Sequence, residues 1–168
     1  YKDVNPEFGD MDDFKSLVKK AHKLGMYVII DWVANHTSWD NPLLTEHPEW
    51  YKKDNEGNFE SPYDWTDVVQ LDYEKPALQK WMVDALSFWV KEADIDGFRC
   101  DVAGMVPTKF WEKARKELDT YKPVFMLAEA EKAELLNKAF DMDYSWELHH
   151  IMNEIAQGKK NADDLIAY

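Results

Sequence analysis

Cysteine is almost missing from this chain, glycine and proline are sparse, and basic residues are outnumbered. A lone cysteine, Cys100, excludes an internal disulfide, so packing and hydrogen bonds must hold the fold. Six glycines and seven prolines in 168 residues exclude collagen-like and low-complexity architectures. Lysine and arginine total 20 against 33 acidic residues, a formal net charge of −13. A surface of that sign repels phosphate backbones, which argues against nucleic acid as a partner. No apolar run approaches the roughly 18 residues of a membrane span, and no signal-peptide pattern is visible.

What remains is the composition of a globular protein, 45% hydrophobic and 32% charged. "DMDDFKSLVKKAHKLG" predicts an amphipathic helix capped by Asp10 and stopped at Gly25, with Met11, Phe14, Leu17, Val18, Ala21 and Leu24 inward. The run "MYVIIDWV" that follows does not alternate, the pattern of a parallel strand covered on both faces. The same order repeats. A helix opening at Pro76, with Leu78, Trp81, Ala85, Phe88 and Trp89 on one side, precedes the strand "IDGFRCDV". A helix with Phe110, Trp111, Ala114 and Leu118 inward precedes "PVFMLAEA". A weaker strand is expected around residues 140–144, then a helix over 146–157 and another beginning near Ala162. Alternating helices and apolar strands define an α/β fold with a parallel sheet, either open and doubly wound or part of a closed barrel.

Residues 34–75 break the rhythm. About forty residues are far more than such a connection uses, and their tryptophans, tyrosines and acids point to an inserted subdomain. The expected organisation is therefore 1–33, an insert over 34–75, and 76–168.

Three strands end in a carboxylate: Asp31, Asp101 and Glu129. In parallel α/β folds the C-terminal strand ends are where ligands bind and catalytic groups gather. Arg99 lies two residues before Asp101 and so shares its strand face, where it can hold that carboxylate ionised. A Glu129 in drier surroundings would then serve as the protonated partner, giving the nucleophile and acid of a retaining glycosidase. Trp32, Trp39 and Trp65 are candidate sugar neighbours because aromatic faces stack on sugar rings. Cys100 reads as a small buried residue on the opposite strand face.

The stretch "YKDVNPEFGDMDDFKSLVKKAHKLGMYVIIDWVANHTS", with "DGFRCDVA" and "FMLAEA" following in order, resembles the α-amylase superfamily of glycoside hydrolases. The resemblance implies part of a TIM (β/α)8 barrel, about strands three to six, with the family's inserted domain after the third strand. It implies Asp101 as nucleophile, Glu129 as general acid/base and Arg99 as the residue orienting the nucleophile. Asp31 would support its strand motif, and His36 would hydrogen-bond the sugar before the scissile bond. The implied substrate is a starch-like α-glucan or oligosaccharide. No cofactor is required for the chemistry; Asn35 is implied as a candidate ligand of a structural calcium.

By the same resemblance, the first two strands would precede Tyr1 and a third catalytic aspartate would follow Tyr168, so the remainder of the barrel would be needed and the 168 residues alone would be inactive. Gly104 and Met105 stand where starch-acting members often carry lysine and histidine, and Gln70 stands where the insert often has an acid. Glucosidase, transglycosylase and isomerase activities share these motifs. A catalytically silent carbohydrate-binding or assembly module of the same fold is the alternative outside catalysis. A metal-dependent hydrolase built on His36, His149 and His150 is disfavoured, because adjacent helical residues point about 100° apart.

Overall fold

In the computed structural model, which describes residues 1–168, Asp10 starts the first helix by reciprocal capping. Its Oδ1 accepts from the backbone N–H groups of Asp12 (2.9 Å) and Asp13 (3.1 Å), while Asp13 Oδ2 accepts from the Asp10 N–H at 3.2 Å. Helix α1 (Met11–Lys23) places Asp12 and Asp13 at its positive end and Lys20 and Lys23 at its negative end. Gly25 ends it at φ +74°. Val18 and Ala21 are buried, but Leu17 and Leu24, expected inward, are 57% and 74% exposed. The buried stripe is narrow because α1 meets the neighbouring helix mainly through Phe14, set edge-on against Trp89, and Leu17 lies about 100° around the helix from Val18.

Strand β1 (Ile29–Val33) leads into residues 34–75, where β2 (His36–Ser38) pairs antiparallel with β3 (Val68–Gln70). Between them lies the short helix α2 (Pro42–Glu46), capped by Asn41. This region packs into the same hydrophobic cluster as the sheet through Leu43, Trp50, Tyr51, Val69, Leu71 and Tyr73. Tyr73 donates its hydroxyl hydrogen to the Ala34 carbonyl at 2.8 Å and rests against Phe110.

Helix α3 (Pro76–Ala93) buries Leu78, Met82, Ala85, Leu86, Trp89 and Val90. Trp81 and Phe88, expected in that row, are only half-buried at its flanks. Strand β4 (Gly97–Asp101) follows, then α4 (Thr108–Leu118), which buries Phe110, Trp111, Ala114 and Leu118 as expected. Strand β5 (Phe125–Ala128), the two-residue β6 (Met142–Asp143), α5 (Trp146–Ala156) and α6 (Asp163–Ile166) complete the chain.

The main sheet has the order β1-β4-β5-β6, all parallel. Its outer face, carrying Trp32, Phe98, Cys100, Met126 and Ala128, is buried in the common core with α3 and α4. Its inner face leaves Ile29, Phe125 and Met142 exposed, and β1 and β6 are free edges. Within these 168 residues the first strand is covered on its outer face only. Its apolar run reflects one face against helices and one face turned inward over an open concavity.

Gly97 sets the spacing of β4 and β5: a Cβ there would lie 1.8 Å from the Phe125 carbonyl oxygen. Gly97→Ala is expected to cost about 3 kcal/mol in urea unfolding, since backbone rather than a mobile side chain would have to move. A loss under about 0.5 kcal/mol would show that this approach is not a constraint.

Candidate active site

Register and alternation together decide which side chains meet. Asp31 pairs with Arg99, Arg99 with Leu127 and Leu127 with Met142, so these four share a row on the inner face. One step toward the C-terminal ends, Val33 pairs with Asp101. The β4–β5 ladder continues past β5 through Glu129 N–H to Cys100 O at 2.9 Å, bringing Glu129 level with Asp101. Tyr144, whose N–H donates to Ala130 O at 3.0 Å, extends the row beyond β6.

Arg99 sits at the centre of this surface. Its Nη1 donates to Asp101 Oδ1 at 2.7 Å and to both oxygens of Asp31 at 3.1 and 3.2 Å. Its Nη2 meets Glu129 Oε1 at 2.8 Å, and its Nε donates to the Tyr144 hydroxyl at 3.4 Å. Burial works against the charge, but the bonds to Tyr144, Asp101 and Asp31 outweigh it and hold the guanidinium above its usual range. The side chains of Asp101 and Glu129 are equally exposed, 24% and 23%, while that of Asp31 is 62% exposed. The drier setting expected for Glu129 is thus absent: both acids stand at one rim and share one cation. Glu129 has a second donor, the Val102 backbone N–H at 3.0 Å from Oε2.

His36 opens β2 next to this rim. Burial pushes its imidazole below the ordinary 6.5, with Asp101 and Asp67 pulling the other way. Trp65 lies edge-on to His36 at 5.6 Å, so this aromatic does stand beside the rim. Trp39 is partly exposed but donates its indole N–H to Thr66 O within the insert.

Trp32 does not reach the mouth. It is 3% exposed and packs edge-on against Tyr1 and Phe98, because a strand sends the residue after Asp31 to the opposite face. The proposed sugar contact at Trp32 is corrected accordingly. Cys100, on that same outer face, is fully buried as expected.

Calcium takes six to eight oxygen ligands. Asn35 is buried, with Nδ2 at 3.4 Å from His36 Nδ1 and 3.9 Å from Met105 Sδ, a nitrogen and a thioether. Neither neighbour of Nδ2 is a ligand of a hard cation, and Oδ1 is the one atom of this side chain that could serve as one. His149 and His150 are exposed on α5, and His149 bonds Asn153.

Beside the free edge of β1 lies an open concavity of about 480 Å3, lined by residues including Tyr1, Asp31 and His36 but not by Arg99, Asp101 or Glu129. It is the space along a sheet edge rather than the cleft over the carboxylates. Tyr144 and Val102 are contacts that sequence reasoning missed. Extending the register past β6 would have found Tyr144; a valine after an aspartate carries no signal of the turn it makes.

A parallel α/β sheet with an acidic, arginine-centred rim at the C-terminal ends of its strands is the architecture of part of a TIM barrel. The chain matches the α-amylase catalytic-domain family over residues 1–67 and 45–166, and it belongs to that family. It is 31% identical over 149 residues to the intracellular maltogenic amylase of Bacillus subtilis, covering 77% of this chain and 24% of the relative. Among solved structures, an α-amylase from Lactobacillus plantarum superposes with a TM-score of 0.92 at 37% identity, over 99% of this chain and 43% of that one. A maltogenic α-amylase from Thermotoga neapolitana superposes at 0.88 with 40% identity, over 95% and 38%. The chain therefore spans about a quarter of that curated relative and about two-fifths of these solved structures.

Arg99→Met is expected to cost about 2 kcal/mol at neutral pH, because three carboxylates lose the cation between them while remaining partly solvated. The penalty should shrink as ionic strength rises and salt screens their mutual repulsion, and a salt-independent loss in denaturation curves would contradict this origin. His36 should titrate below 6.5 by NMR, neutral at neutral pH, and a midpoint above 6.5 would mean that the carboxylates rather than burial dominate.

Proposed function

We propose that this segment carries the nucleophile and the general acid/base of a retaining α-glucan hydrolase. The observation that carries the reading is one guanidinium bonded at once to Asp101 Oδ1 and Glu129 Oε1, at the C-terminal ends of adjacent parallel strands. A retaining enzyme needs two carboxyl groups about 5–5.5 Å apart, one to attack and one to exchange a proton. Two acids gathered on the two Nη atoms of one arginine suit that demand.

Asp101, held by Arg99 Nη1, presents an ionised oxygen to the anomeric carbon. Glu129 gives a proton to the leaving oxygen in the first half-reaction and takes one from water in the second. For the first half it has to carry a proton, so a sugar entering the cleft must loosen its bond to Arg99 Nη2. Asp31 shares Nη1 with Asp101 and anchors the guanidinium from the β1 side. Neutral His36, backed by Trp65, offers a ring nitrogen to a sugar hydroxyl without adding charge.

The names of the relatives, maltogenic amylases and cyclomaltodextrinases among them, support α-glucans or their oligosaccharides as substrate. In the full-length protein, Asp101→Asn is expected to lower kcat for maltooligosaccharides by at least about 10³-fold, and Glu129→Gln by about 10²–10⁴-fold, with folding retained. Hydrolysis surviving either change would overturn the assignment.

A further inference from the structure

Val102, directly after Asp101, adopts φ 38° and ψ 43°. The left-handed region is uncommon for any side chain and an outlier for a β-branched one. Tyr63 and Asp94 are the other non-glycine residues with positive φ, and Asp94 is an ordinary left-handed helix end. Such a conformation persists only where the surroundings over-determine it.

The ladder shows what the turn accomplishes. Bonds between parallel strands are evenly spaced, and here Phe125 N–H donates to Asp96 O and Glu129 N–H to Cys100 O. Continued regularly, the next bond would run from Val102 N–H to Glu129 O. The left-handed step diverts it: Ala103 N–H takes Glu129 O at 3.1 Å, and the freed Val102 N–H reaches Glu129 Oε2 at 3.0 Å. Trp111 secures the displaced loop by donating its indole N–H to Ala103 O at 3.0 Å.

We propose that the Val102 backbone N–H is a positioning donor that fixes which oxygen of Glu129 carries the proton. The proposal rests on Glu129 being the general acid. An N–H aimed at Oε2 keeps that oxygen as an acceptor in both states of the carboxyl, which leaves Oε1 as the hydroxyl oxygen. In the first half-reaction the Oε1–H bond breaks and the proton passes to the glycosidic oxygen. The bond from that oxygen to the anomeric carbon breaks as an Asp101 oxygen bonds the carbon, and Glu129 becomes a carboxylate still held through Oε2. Arg99 cannot do this work, because its grip on Oε1 must loosen before a proton can sit there. A neutral amide can hold throughout.

The test is an amide-to-ester replacement at Val102 in the full-length protein, which removes the N–H and keeps the side chain. The kcat/KM for maltooligosaccharides, which reports the first half-reaction and whose leaving group needs a proton, should fall about 10- to 100-fold. The kcat/KM for a p-nitrophenyl α-glycoside, whose leaving group departs readily without one, should fall by less than about threefold. The same replacement at Ala103, which removes the bond to Glu129 O, should affect both substrates alike. Equal losses on both substrates for the Val102 ester, or none, would overturn the proposal. Glu129→Gln run beside it keeps the two readings apart: if that variant spares maltooligosaccharides, it is the acid assignment that fails. An independent check needs no change at Val102. With 15N-valine labelling, the Val102 amide proton should follow a carboxyl titration that disappears in Glu129→Gln, and an unresponsive resonance would also overturn the proposal.

Discussion

Three carboxylates stand on one rim in a chain that already carries thirteen excess negative charges, and Arg99 is what lets them stay together. Like charges about 4 Å apart repel by roughly 4 kcal/mol at an effective dielectric near 20. A lysine could neutralise one of them as a point charge. The forked guanidinium meets several in a fixed plane, which makes it an orienting device as well as a counter-charge. Tyr144 completes the enclosure through Nε and limits the rotation left to the arginine.

That arrangement exists only because the sheet beneath it is rigid in register. Gly97 lets β4 and β5 approach at the far end, and the core formed by Phe98, Cys100, Met126 and the helices behind them prevents a slip. A one-residue slip would send Asp101 and Arg99 into the helix-covered core and bring Cys100 to the rim. The outer face thus supplies stability, and the inner face carries the acids and their arginine. The inner face keeps apolar side chains such as Ile29, Phe125 and Met142 exposed at depths where a closed barrel would layer them.

Backbone strain sits directly after Asp101. Val102 leaves the strand in a conformation that valine avoids, and the cost is met by the ladder bonds around it and by Trp111. Local sequence preference and tertiary demand disagree there, and such disagreements gather at functional sites.

The sequence by itself determined the order of helices and strands, the parallel character of the sheet, and the membership of Asp31, Arg99, Asp101 and Glu129 in one rim. Periodicity and the two-residue spacing of Arg99 and Asp101 are local properties that survive without knowledge of neighbours. It was wrong about Trp32 because an aromatic was read as a sugar neighbour from its chemistry, whereas strand alternation turns it into the core. It was wrong about Leu17 and Leu24 because helical periodicity marks an apolar stripe without saying how much of it a neighbour covers. The equal exposure of Asp101 and Glu129, the sharing of one guanidinium among three acids and the diverted amide of Val102 belong to the tertiary structure alone. Each depends on which strand lies beside which and at what height, and contacts between residues tens of positions apart are fixed by packing rather than by any local pattern.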